Sequence, residues 1–166
     1  MLLDRFYPDH EMDSAYSIDY ASLYQQGKRA IIFDIDNTLV THGAPANAKA
    51  KALFAKLHEM GYRTLLLSNN KEPRVKSFSE AVGSTYIFKA GKPGRAGYLN
   101  AMKKLGSTPA TTLFVGDQLF TDVWGAKKVG IVTYLVKPIH PKEEIQIILK
   151  RRLEWIVLFF YHRKKR

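Results

Sequence analysis

Short apolar runs alternate with longer stretches of mixed character along this chain. The runs Ala30–Phe33, Arg63–Leu67, Thr85–Phe88, Thr112–Val115 and Ile131–Leu135 are rich in β-branched, aromatic and leucine residues and predict five strands. Between them, Ala46–Met60, Pro73–Val82, Arg95–Leu105 and Asp122–Lys128 are rich in Ala, Lys, Glu or Leu and predict helices. Gly61, Gly83, Gly106 and Gly130 follow these stretches, where a helix C-terminal glycine belongs. The strands are almost continuously apolar, the pattern of a parallel sheet buried on both faces. The expectation is an α/β fold: a doubly wound, mainly parallel, five-stranded Rossmann-like sheet. Ligands in such folds bind outside the carboxyl ends of the strands. Residues 1–29 read as an irregular and short-helical lead-in, 30–141 as the core, and 142–166 as a terminal helix free of Pro and Gly.

The chain has 166 residues, enough for one hydrophobic core, and its 46% hydrophobic and 25% charged residues are those of a globular protein. It contains no cysteine, which excludes disulfides, thiolate metal sites and thiol nucleophiles and fits a cytoplasmic setting. The first residues do not read as a signal peptide. The longest apolar run, Trp155 to Tyr161, falls far short of the ~20 residues of a membrane span. The net charge of +11 is concentrated: from Lys150 to Arg166 there are seven basic residues and one acidic, a net +6. Such a tail suits a lipid surface, a nucleic acid or a phosphorylated substrate.

The chemistry gathers at the predicted strand ends. The first strand ends in Asp34 and Asp36, two positions apart and therefore leaning to one side of the chain. The second ends in Ser68-Asn69-Asn70, Lys92-Pro93 follows the third, and the fourth leads into Asp117 and Asp122. Acids, a hydroxyl, amides and a lysine converging on one crevice are the ingredients of a Mg²⁺ and phosphate site.

In order and strand context these residues resemble the four motifs of the haloacid dehalogenase superfamily of phosphohydrolases. Asp34, Asp36 and Thr38 match its first motif, Ser68 the second, Lys92 the third, and Asp117 with Asp122 the fourth. Phe33 to Val40, Lys92-Pro93 and Val115 to Val123 resemble a capless branch, subfamily IIIA, that includes YqeG-like and phosphatidylglycerophosphate phosphatases. The resemblance implies that Asp34 is the nucleophile, forming an aspartyl-phosphate, and that Asp36 is the acid and then the base. It implies that Asp34, the Asp36 carbonyl and Asp117 hold Mg²⁺. Thr38, Ser68, Asn69 and Lys92 would bind the phosphoryl group, and Asp122 would orient Lys92 or a water.

Only one loop, one helix and one strand fit between Thr38 and Ser68, and again between Ser68 and Lys92. No cap is expected, so the crevice should be open to bulky substrates unless an oligomeric neighbour supplies a lid. His42 follows the first motif and is left outside the catalytic set. In the terminal segment Ile145, Ile148, Leu149, Leu153, Ile156, Val157 and Phe160 recur at helical spacing, flanked by basic residues. Two readings stand: a helix lying in an anionic membrane surface, or a helix packed on its own core or on a partner. The leading function is a Mg²⁺-dependent phosphomonoesterase acting on phosphatidylglycerophosphate. A soluble phosphatase for sugar, nucleotide, protein or nucleic-acid phosphates is a second reading. A non-catalytic module binding RNA or ribosomes is a third, disfavoured because a pure binder has no need for Asp36.

Overall fold

The computed structural model describes residues 2–140 and 145–165. Six strands form one all-parallel sheet: β1 (His10–Met12), β2 (Ala30–Phe33), β3 (Arg63–Leu67), β4 (Thr85–Ile87), β5 (Thr112–Gly116) and β6 (Val132–Val136). Their order is β1-β6-β5-β2-β3-β4. The helices are α1 (Tyr20–Gln25), α2 (Ala48–Met60), α3 (Glu72–Val82), α4 (Arg95–Leu105), α5 (Trp124–Lys127) and α6 (Ile145–Lys165).

The sixth strand corrects the expectation of five. His10–Met12 lay inside the predicted lead-in, because three residues reading His-Glu-Met carry no apolar period. They become a strand by pairing along β6, from His10 opposite Tyr134 to Met12 opposite Val136. The predicted helix over Asp122–Lys128 is instead a π-helical turn, Leu119–Val123, running into the short α5. The start predicted for the terminal helix, at residues 142–144, lies outside the described residues.

Both faces of the sheet are covered, which explains the unbroken apolar strands. Ile31 and Phe33 point to one side and pack with Phe54, Leu57, Val75 and Phe78 of α2 and α3. Ala30 and Ile32 point to the other and pack with Tyr98, Ala101, Met102 and Leu105 of α4. From β2 the chain winds outward through β3 and β4, then returns to β5 and β6 on the opposite side. The order reverses between β2 and β5, and the crevice beyond their carboxyl ends is the natural ligand site.

Helix α6 docks on a third cluster, where Val157 and Tyr161 meet Tyr7, Leu119, Val123 and Leu135. Docking and exposure were posed as alternatives; the helix does both with different faces. Glu154, Val157 and Tyr161 are buried, whereas Leu149, Leu153, Trp155, Ile156, Phe159 and Phe160 are exposed, Trp155 by 68%. Most of the apolar stripe read from sequence therefore faces outward, and the docked face is narrower and partly polar.

Candidate active site

The end of β2 leads straight into the chemistry. Asp34 still donates its backbone N–H to the Val115 carbonyl of β5 at 3.0 Å, which pins its carboxylate over the switch point. The chain then turns tightly, with Asn37 in the left-handed region at φ 61° and its N–H on the Val40 carbonyl at 2.7 Å. That turn sends the two motif carboxylates into different surroundings.

Asp34 accepts from Lys92 Nζ at 2.8 Å through Oδ1 and lies 3.1 Å from the Thr38 hydroxyl through Oδ2. The same hydroxyl lies 3.1 Å from Asp117 Oδ1, and its single proton serves one of the two at a time. Thr38, expected to bind phosphate, thus stands between two carboxylates. Lys92 is buried and also donates to Asp122 Oδ1 at 2.7 Å. Burial works against its charge, but Asp122 and Asp34 outweigh it and hold the ammonium protonated well beyond the ordinary lysine range.

Asp34, Asp117 and Asp122 are all buried, with ligand oxygens within 4.8 Å of one another. Burial, and then repulsion from Asp34, push Asp122 up to about 6 and raise Asp117 well above the carboxylate range. A cluster of hard oxygens whose negative charge is this costly fits a small divalent cation. The Asp36 carboxylate is not part of it. Asp36 Oδ1 accepts from Gly43 N–H at 2.7 Å and from Arg74 Nη2 at 2.9 Å, and Asn70 Nδ2 lies 3.5 Å from Oδ2. Burial raises the Asp36 carboxyl, but Gly43 and Arg74 overcome that and leave it below its ordinary value.

Ser68 is buried, with its hydroxyl accepting from Asn70 N–H at 3.1 Å. Asn69 clamps the lysine segment from both sides: its carbonyl oxygen accepts from Lys92 N–H at 2.8 Å and its amide donates to the Lys92 carbonyl at 3.0 Å. Its side chain is therefore committed to positioning Lys92. Asp34, Asp36, Ser68, Asn69 and Lys92 line one cleft of about 310 Å³, together with His42 and Lys150. The cleft is open, and no cap covers it among the described residues.

Asp122 owes its place to Gly116. A Cβ on Gly116 would stand 2.5 Å from Asp122 Oδ2. Gly116→Ala is expected to push Asp122 off Lys92 and destabilise the fold by about 1–3 kcal/mol, with turnover falling in parallel. Urea unfolding and phosphate release check it, and an alanine variant equal to wild type in both contradicts it.

Three site residues were not read from the sequence. Arg74 sits in the first turn of α3, and nothing in the sequence sets it apart from the chain's other cations. Arg151 reaches from α6 to the Asp117 carboxylate and to the Asp117 carbonyl. Glu154 accepts from the Leu119 and Phe120 N–H groups at 2.9 and 3.4 Å and lies 3.3 Å from Arg151 Nη1. Arg151 is one of three consecutive basic residues, and nothing in the sequence tells which of them turns inward. Glu154, the lone acid of that tail, was the available signal.

A parallel sheet with a switch-point crevice, three buried aspartates and a lysine bridging two of them define a class. Residues 43–130 match a family model for haloacid dehalogenase-like hydrolases, and the chain belongs to that family as one of its phosphatases. It is 34% identical over 166 residues to a Bacillus subtilis (strain 168) protein described as "Probable phosphatase YqeG", covering 99% of this chain and 96% of that one. It is also 26% identical over 164 residues to an Arabidopsis thaliana phosphatidylglycerophosphate phosphatase 1, covering 89% of this chain and 45% of the plant protein. In fold it is similar to the cobalt-bound deoxy-D-mannose-octulosonate 8-phosphate phosphatase of Haemophilus influenzae, with a TM-score of 0.55 and 15% identity, covering 66% of this chain and 68% of that one.

Proposed function

We propose that this phosphatase is a Mg²⁺-dependent phosphomonoesterase that works through an aspartyl-phosphate on Asp34 and acts on phosphatidylglycerophosphate at an anionic membrane surface. The observation that carries the reaction is the division of labour between the motif carboxylates. Asp34 sits with the buried cluster and Lys92, whereas Asp36 stands apart on Gly43 and Arg74.

In this reading Asp34, Asp117 and the Asp36 carbonyl would hold the cation, which when bound would supply charge neutralisation for the attacking carboxylate and the transferring group. Lys92 keeps one Asp34 oxygen oriented and meets a phosphoryl oxygen, with Ser68 as a further donor. Asp34 attacks phosphorus. Asp36, ionised at rest on Gly43 and Arg74, must take up a proton as the negatively charged substrate arrives before it protonates the departing alkoxide. Asp36, now ionised, then takes a proton from the water that cleaves the acyl phosphate. Asp122 holds Lys92 in place from behind.

Three things support the lipid. Relatives are named for it, the cleft is open, and α6 places exposed Trp155, Ile156, Phe159 and Phe160 next to basic residues. No helix among the described residues is long and apolar enough to cross a membrane, so the contact would be interfacial. Because Arg151 and Glu154 belong to the site, deleting the helix would confound binding with catalysis. Substitution of the outer face alone separates them. Trp155→Ser with Phe159→Ser is expected to weaken binding to vesicles containing phosphatidylglycerol by about tenfold or more while Mg²⁺-dependent hydrolysis of soluble phosphoesters persists. Equal vesicle binding by wild type and variant rules out the surface. Failure to release phosphate from phosphatidylglycerophosphate in vesicles rules out the substrate.

A further inference from the structure

We propose that Arg151 and Glu154 of α6 are positioning residues for the cation: they brace Asp117 and the turn after it, and so set the affinity of the site for a divalent ion. The inference rests on the reading of Asp117 as a metal ligand and gives a role to two residues that none of the four motifs contains.

Asp117 sits where regular structure lets go of it. β5 ends at Gly116 and the π-helical turn begins at Leu119, so Asp117 belongs to neither. A side chain there has several rotamers open to it, and a carboxylate repelled by two neighbouring acids turns away from them unless it is held. Arg151 holds it. Nη1 donates to the Asp117 carbonyl and Nη2 to Asp117 Oδ2. A rigid fork gripping main chain and side chain of one residue fixes the torsions between them. The other oxygen, Oδ1, is kept 3.1 Å from the Thr38 hydroxyl, which lies equally close to Asp34. The grip thus turns Asp117 towards the acid with which it would share an ion.

Arg151 is anchored in its turn. Glu154 lies 3.3 Å from Nη1 through Oε2, while its Oε1 accepts from the Leu119 and Phe120 N–H groups at 2.9 and 3.4 Å. N–H groups at the start of a helical turn lack partners inside it, and Glu154 supplies one. The same turn carries Asp122, so the brace underlies the segment that provides two of the three clustered acids. A cation beside Asp117 has a second conceivable effect, competition with the metal ion for the same negative charge. The two effects have opposite signs: a brace tightens metal binding and a competitor weakens it. Glu154 decides between them, because a carboxylate paired with Arg151 offsets the competing charge and leaves the grip intact.

Calorimetric titration of Mg²⁺ into the full chain reads the affinity directly. Arg151→Gln is expected to raise the Mg²⁺ Kd by about 10–100-fold. Arg151→Lys keeps the charge without the fork and should stay weak. Glu154→Gln still offers an acceptor to the two N–H groups but no longer anchors Arg151 by charge, and should lose affinity in the same direction. In phosphate release the variants should need more Mg²⁺ for half-maximal rate and approach wild-type kcat once the ion saturates, a rescue that loss of stability alone would not give. Trp155→Ser with Phe159→Ser, on the outer face of α6, should bind Mg²⁺ as wild type does. Should Arg151→Gln fail to fold in urea titrations, Arg151→Lys and Glu154→Gln decide in its place. An unchanged or smaller Kd in the Arg151 variants would overturn the brace, as would equal weakening by the outer-face variant. Weaker Mg²⁺ binding by the variants, with no ester hydrolysed by wild type, would uphold the brace and sink the phosphomonoesterase reading. Hydrolysis by wild type with one Mg²⁺ Kd throughout would do the reverse.

Discussion

Replacement of Asp34 by Asn is expected to lower phosphate release by about 10⁴-fold or more while leaving the protein folded. An amide does not attack phosphorus to give an acyl phosphate, and no other carboxylate takes its place. Asp117 and Asp122 are confined by Arg151 and Lys92, and Asp36 is turned towards Gly43 and Arg74. Loss of the Asp34 charge costs little stability, because Lys92 keeps Asp122 and the crowding of three buried acids is relieved. Acid-quenched wild type should carry a hydroxylamine-labile phosphate during turnover, and the variant should carry none. A variant retaining more than about one hundredth of wild-type turnover would contradict the assignment.

The second large effect concerns Lys92. Lys92→Met leaves Asp34 and Asp122 without their shared cation and is expected to cost about 3–5 kcal/mol at neutral pH, besides abolishing turnover. The loss should shrink in mild acid. Even with Lys92 present, Asp122 holds its proton up to about 6, against 3.8 in the unfolded chain. Between those values the folded state binds more protons than the unfolded one, so this group's contribution to stability falls as pH rises and stays lower above about 6. Without Lys92 that dependence steepens, because protonation of Asp122 becomes the remaining way to relieve the repulsion. Urea unfolding of variant and wild type at pH 5 and pH 7 tests this. An equal difference at both pH values would show that Lys92 matters for packing rather than charge.

The part of the candidate site at the strand ends was legible because it is local. Strand ends, a two-residue carboxylate spacing and a Lys-Pro step keep their meaning wherever the sheet is placed, and Asp34, Ser68, Lys92, Asp117 and Asp122 come together as the spacing implied. What escaped depends on distance along the chain. β1 is a strand only because β6 lies beside it, and its His-Glu-Met sequence has no preference that announces this. Arg151 and Glu154 act in the site only because α6 folds back across the π-turn. The apolar periodicity of α6 was real but ambiguous. A helix with one docked and one exposed face reads the same as a helix with one broad apolar face, and the polar docking residues carry no periodic mark.

The same long return has a consequence for how the protein comes into being. Lys164 pairs with Asp4 at 2.8 Å, His162 lies 2.6 Å from Glu11, and Tyr161 packs on Tyr7 with ring centroids 5.1 Å apart. These contacts join the two ends of the described chain, and contacts across long separations form late. During synthesis β2 to β6 can assemble while α6 is still inside the ribosome. The nascent sheet then carries Asp117 without Arg151, and the first segment waits for its partner. The helix made after the sheet is the one that brings Arg151 and Glu154 to the candidate crevice, so the site is finished only after the sheet is already in place.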